Sequence, residues 1–146
     1  MIATAYFDEV TTGTSTKTLV QLLAPTGRGI WVLQFGISFK GIDNLGVPIR
    51  VELVKQTTAG TAGALTPTKL TRNDSNTIAT TAQQGFSGAE PTTTDVHVGE
   101  LIHPQGGWEH PFIWEEMEVP GGERVGLRTI TPAAAVNCVG WIRFRE

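Results

Sequence analysis

The feature that most constrains this chain is the spacing of its turn signals. Ala24-Pro25-Thr26-Gly27 closes one apolar run, and residues 41–46 (Gly-Ile-Asp-Asn-Leu-Gly) close the next. Pro104-Gln105-Gly106-Gly107 and Pro120-Gly121-Gly122 separate later runs. Gly and Pro at such points break regular structure and favour turns. The runs between them are short and show no sustained helical period. Ile49-Arg50-Val51-Glu52-Leu53-Val54-Lys55 alternates apolar and polar residues over most of its length, the pattern of a half-buried strand. The 21 Thr favour strands, while 17 Gly and 8 Pro favour turns. The expected fold is all-β: a β-sandwich, jelly-roll-like, of about eight strands. Those strands are expected at residues 3–9, 17–23, 30–40, 49–56, 96–103, 108–116, 124–130 and 135–145.

Parity assigns faces within these strands. In the third, Trp31, Leu33, Phe35, Ile37 and Phe39 share one face and are expected in the core. Ile30, Val32, Gln34, Gly36, Ser38 and Lys40 then turn outward. In the last, Val136, Cys138, Gly140, Ile142 and Phe144 share a face. Val139 and Trp141 lie opposite, beside Asn137, Arg143 and Arg145. Residues 57–94 are rich in Thr, Ala and Gly. A structureless loop of that length is unusual inside a compact domain. The segment either adds a short strand around 65–70 or extends over a neighbouring subunit.

A chain of 146 residues fits one domain. Residues 1–18 read as an N-terminal strand or arm, and 19–146 as the β-sandwich domain. The arm alternative rests on Thr11-Thr12-Gly13-Thr14-Ser15-Thr16, whose small polar composition suits a hinge. A net charge of -3 argues against general nucleic-acid binding, which needs an electropositive face. No run of 18 apolar residues exists to span a membrane as a helix. Met1 to Val10 carries Asp8 and Glu9 without a basic or long apolar region, so no signal peptide is expected there. The single cysteine, Cys138, leaves no intrachain disulfide.

No catalytic constellation stands out. His97, His103 and His110 with Glu100 and Glu109 lack the His-x-His pair that a cupin-type metal site uses, so no metal and no cofactor are expected. Glu115 and Glu116 are adjacent and would point to opposite faces of a strand, which prevents glycosidase-type pairing. Glu116 and Glu118 read instead as a solvated edge. Cys138 has no basic partner near it in sequence and reads as a buried structural thiol. Ser15, Ser38, Ser75 and Ser87 have no Gly-x-Ser-x-Gly context. Gly27-Arg28-Gly29 precedes a strand and reads as a tight turn, without the helix N-terminus of a phosphate site. Trp31, Trp108, Trp114 and Trp141 suit core or interface positions more than a sugar platform.

Several blocks carry a resemblance. Leu22-Leu23-Ala24-Pro25 leads to Trp31-Val32-Leu33-Gln34-Phe35-Gly36-Ile37-Ser38-Phe39, and Pro48-Ile49-Arg50-Val51-Glu52-Leu53-Val54-Lys55-Gln56-Thr57-Thr58-Ala59-Gly60 follows. Glu90-Pro91-Thr92, Ile102-His103-Pro104-Gln105-Gly106-Gly107 and Val119-Pro120-Gly121-Gly122 complete the set. Together they resemble the capsid-decoration, or cement, proteins of tailed bacteriophages, from about Leu19 to Arg143. The resemblance implies a non-enzymatic virion protein, synthesised in the host cytoplasm. It would sit as a homotrimer on the outer capsid surface, in contact with the major capsid protein. Outward apolar residues agree with a partner-bound surface, and Ile2, Tyr6, Val139 and Trp141 are the candidate interface residues. The rival expectation is a module that binds carbohydrate or a host surface through exposed Trp, in a phage fibre or tail.

Overall fold

The computed structural model describes residues 1–41, 46–114 and 116–146. The centre of the turn expected at 41–46 and the orientation expected of Glu115 lie outside them. The described residues contain no helix, and form twelve strands. In chain order these are β1 (Ile2–Thr11), β2 (Lys17–Leu23), β3 (Ile30–Lys40), β4 (Ile49–Gln56), β5 (Gly63–Leu65) and β6 (Thr68–Lys69). They continue with β7 (Thr81–Gln84), β8 (Thr93–Ile102), β9 (Gly107–Pro111), β10 (Met117–Val119), β11 (Arg124–Ile130) and β12 (Asn137–Arg145). One sheet has the order β10-β3-β12-β1-β6, with β9 also pairing β3. The other has the order β5-β7-β2-β11-β4-β8. The described pairings are antiparallel, and the two sheets pack face to face as a β-sandwich.

The core follows from alternation. Ala3, Ala5 and Phe7 of β1 meet Cys138, Ile142 and Phe144 of β12, Leu53 of β4 and Leu127 of β11, all at or below 1% exposure. β1 is therefore a strand of the sandwich, paired with β12 along most of its length. The boundary drawn at residue 18 falls inside β2.

The third strand departs from the expected parity. Ile30 and Val32 are buried with Phe35, Ile37 and Phe39, whereas Trp31 and Leu33 are only half-buried. The reason is a bulge. Arg143 pairs with Gln34 but Phe144 pairs with Val32, so Leu33 is an extra residue that switches the facing of β3. The strand expected at 108–116 ends early, at Pro111 of β9, and β10 forms beyond it at Met117–Val119.

Residues 57–94 supply three short strands, β5, β6 and β7, rather than one, and also a cover. Gln21, Val54 and Gly126 lie in register on sheet two and face away from the inter-sheet core, as do Glu52 and Arg128. Gln21, Glu52, Val54 and Gln56 are nevertheless 0–2% exposed, so β4 is buried on both faces instead of one. The chain folds back over this outer face. Gln21 Nε2 donates to Thr58 O (2.9 Å) and to Gln56 Oε1 (2.7 Å), and Gln56 Nε2 donates to Thr18 Oγ1 (2.9 Å). Thr18 N donates to Glu90 Oε2 (2.8 Å), and Phe86 and Pro91 are buried in the covering segment. Another tether holds residues 74–80. The Glu146 carboxylate accepts from Thr80 N (2.9 Å), Thr80 Oγ1 (2.7 Å) and Arg28. Met1 N lies 3.6 Å from Asp74 Oδ2.

Cys138 is buried, and burial pushes its thiol up to about 12. Only thiolate reacts readily, so a soluble alkylating reagent at pH 8 should label Cys138 only as fast as the protein opens. Mass spectrometry showing rapid native labelling would mean that the β1–β12 pair opens far more freely than this packing allows.

Candidate functional site

Sheet one presents its second face to solvent, and register shows what that face carries. Tyr6 of β1 lies opposite Trp141 of β12, which lies opposite Gly36 of β3, which lies opposite Glu109 of β9. The next row is Thr4, Arg143, Gln34 and Pro111. The row beyond is Ile2, Arg145, Trp31 and Glu118, and Val139 faces out beside Ser38. All four residues expected at an interface, Ile2, Tyr6, Val139 and Trp141, thus share one face. Tyr6 is 49% exposed and the other three are half-buried.

The two outward tryptophans are packed rather than free. A Cβ on Gly36 would come within 2.8 Å of the Trp141 ring, so the indole lies across a strand position that only glycine leaves open. The Arg143 guanidinium sits over the same ring, 5.3 Å from its centroid, and Arg145 sits 5.0 Å from the centroid of Trp31. Arg143 Nη1 donates to Gln34 Oε1 (3.3 Å), while its Nε is buried without a partner. A central stripe of aromatic and guanidinium groups on β12 and β3 is flanked by Asp8 on one side and by Glu109 and Glu118 on the other. Trp, Tyr and Arg are the residue types enriched at protein interface hot spots.

Trp114 is placed differently. Phe112 N donates to Leu33 O (2.9 Å), and Met117 pairs with Val32. The edge strand therefore leaves the ladder after Phe112 and rejoins it at Met117 while β3 advances by one residue. Glu116 N donates back to Ile113 O (3.3 Å), closing the loop. At its tip Trp114 is 93% exposed with φ of 54°, a left-handed conformation rare for a bulky side chain, and Ile113 is 59% exposed. Parity reasoning placed Trp114 in a continuous strand; the interruption has no local signal that alternation detects.

The remaining candidates are dispersed. Among the described residues, no three His, Cys, Asp or Glu side chains come together as a metal-ligand set. His103 closes its own turn, with Nδ1 accepting from Gln105 N (3.1 Å). His110, expected on the surface or in a turn, is instead half-buried in an aromatic cluster, 5.6 Å from Phe35 and 4.9 Å from Phe112. Burial lowers the pKa of His97, Asp95 opposes that shift, and Lys55 adds to it. Gly27-Arg28-Gly29 forms a turn in which Arg28 N donates to Pro25 O (3.2 Å) and Gly27 has φ of 79°.

A buried ionic group escaped the sequence reading. Glu52 accepts from Arg128 Nε (3.0 Å) and Nη2 (2.8 Å) through one oxygen, and pairs with Arg50 Nε (2.8 Å) through the other. Alternation placed Glu52 in solvent, because Arg128 of β11 and Gly99 of β8, which enclose it, lie on neighbouring strands. Its groups satisfy one another and hold β4 to β11.

No protein-family model, curated protein or solved structure matches this chain.

Proposed function

We propose that this chain is a non-enzymatic virion structural protein that decorates and stabilises a phage capsid as a homotrimer on its outer surface. The observation that carries this reading is the outer face of sheet one. Ile2, Tyr6, Val139 and Trp141 converge there with Trp31, Arg143 and Arg145, residue types suited to protein contact. The edges of the sandwich support contact through side chains rather than by strand addition. β1 bulges at Asp8 and Glu9, β8 has irregular register near Thr94 and His97, and the edge of sheet one is broken between β9 and β10. Bulges and charges of this kind discourage edge-to-edge pairing. We also read the sandwich as a jelly roll. With β9 and β10 counted as one, the eight main strands run 1-8-3-6 in one sheet and 2-7-4-5 in the other, so every connection crosses between sheets except that from the fourth to the fifth, the order of a jelly roll.

The rival is a sugar-binding module. Trp31 and Trp141 serve it poorly, since guanidinium groups lie over their rings; Trp114 is the ring that serves it best. The test is co-sedimentation with empty capsids beside a glycan array. The proposal expects a homotrimer by light scattering that sediments with capsids and ignores glycans. It also expects Tyr6→Ala with Trp141→Ala to reduce capsid binding at least tenfold, the effect of losing about 1.4 kcal/mol. A monomer of about 16 kDa at micromolar concentration, or glycan binding without capsid binding, would overturn it.

A further inference from the structure

We infer that copies of this chain join head to tail, with Trp114 of one inserted into an apolar socket of the next. This rests on the homotrimer reading and names its contact. The knob is built for presentation. Both ends of its loop are fixed to β3, Phe112 to Leu33 and Met117 to Val32, so the backbone that carries the ring is anchored to the sheet. Trp114 is 93% exposed and sits beside exposed Ile113, with no packing of its own to account for a left-handed φ of 54°. Such strain at an exposed aromatic residue marks a site whose partner is elsewhere.

The socket is on the same chain. A cavity of about 180 Å³ is lined by Val47, Ile49, Pro104, Ala133, Ala134 and Val136, small and apolar throughout, with Val47 59% exposed. An apolar cavity of about 150 Å³ can hold benzene, so this one admits most of an indole ring. Knob and socket lie at different points along β3. Phe112 bonds Leu33, whereas Pro104 O accepts from Gly41 N (2.8 Å). Eight residues of extended chain separate those anchors by about 26 Å. One molecule therefore cannot fill its own socket, and a second copy can. The contact is heterologous, since different patches meet, and a heterologous contact closes into a ring when successive copies are related by a closing rotation, here the three-fold of the trimer reading.

The test compares wild type with Trp114→Ala by light scattering. A second variant carries Trp114→Cys with Ala134→Cys and is exposed to mild oxidant. Cys138 is buried, so the introduced thiols are the reactive ones. The expected results are a wild-type trimer, a monomeric Trp114→Ala protein with an unchanged melting temperature, and a covalent trimer from the cysteine pair. A Trp114→Ala protein that remains trimeric, with no cross-linking of the pair, would overturn the knob-and-socket contact while the trimer stood. A monomeric wild type would overturn both. Loss of glycan binding in Trp114→Ala with the oligomer intact would identify the ring as a sugar contact and overturn the socket.

Discussion

Deleting residues 1–13 is expected to yield a chain that does not fold. β1 lies between β12 and β6, and Ala3, Ala5 and Phe7 are each fully buried. Truncating a buried Phe to Ala alone costs about 3–5 kcal/mol. A domain of this size has a total stability of about 5–15 kcal/mol. The deletion also strips the hydrogen-bond partners of β12, whose N–H and C=O groups would be exposed as a new edge. Far-UV circular dichroism and a denaturant titration would check this, with no cooperative transition expected. A truncated protein that folded, formed trimers and failed only in capsid binding would show that the segment acts as an arm after all. With β1 committed to the core, the proposed capsid contact would fall to the outer face of sheet one or to residues 57–94.

Replacing Glu52 by alanine is expected to cost about 3–5 kcal/mol, the penalty for removing one partner of a buried ion pair. The Glu52 side chain is 3% exposed and that of Arg128 is 19%, so Arg128 would be left charged, largely desolvated and without its carboxylate. Arg50, at 58% exposure, can turn to water and adds little. Replacing both partners, Glu52→Leu with Arg128→Met, should recover most of the loss, because neither charge then remains to be solvated. Chemical denaturation of the two single variants and the double variant measures the coupling. Purely additive losses would mean that each side chain acts through its packing and not through the other's charge.

Much of the sandwich was legible because strand formation here is a local matter. Period-two alternation bounded by Gly and Pro located β2, β3, β4 and β11 at their observed limits, and placed Val136, Cys138, Ile142 and Phe144 on the buried side. Outward placement of Val139 and Trp141 follows from the same period, since a pleated strand has only two faces. Where the structure departed, a distant segment or a ladder irregularity decided the outcome. The extra residue at Leu33 exists only relative to β12, and it turned Ile30 and Val32 inward. The extrusion of Trp114 exists only relative to β3. Gln21 and Gln56 are buried where Thr58 and Glu90 return over sheet two, and Glu52 is buried beneath Arg128 and against Gly99 of β8; alternation cannot register a cover that arrives from outside the strand. Composition and turn spacing thus determined an all-β chain with its main strands and their polarity. Tertiary structure decided which strand faces are covered, where Tyr6 meets Trp141, and that one tryptophan stands clear of the fold, because each depends on contacts between residues far apart in sequence.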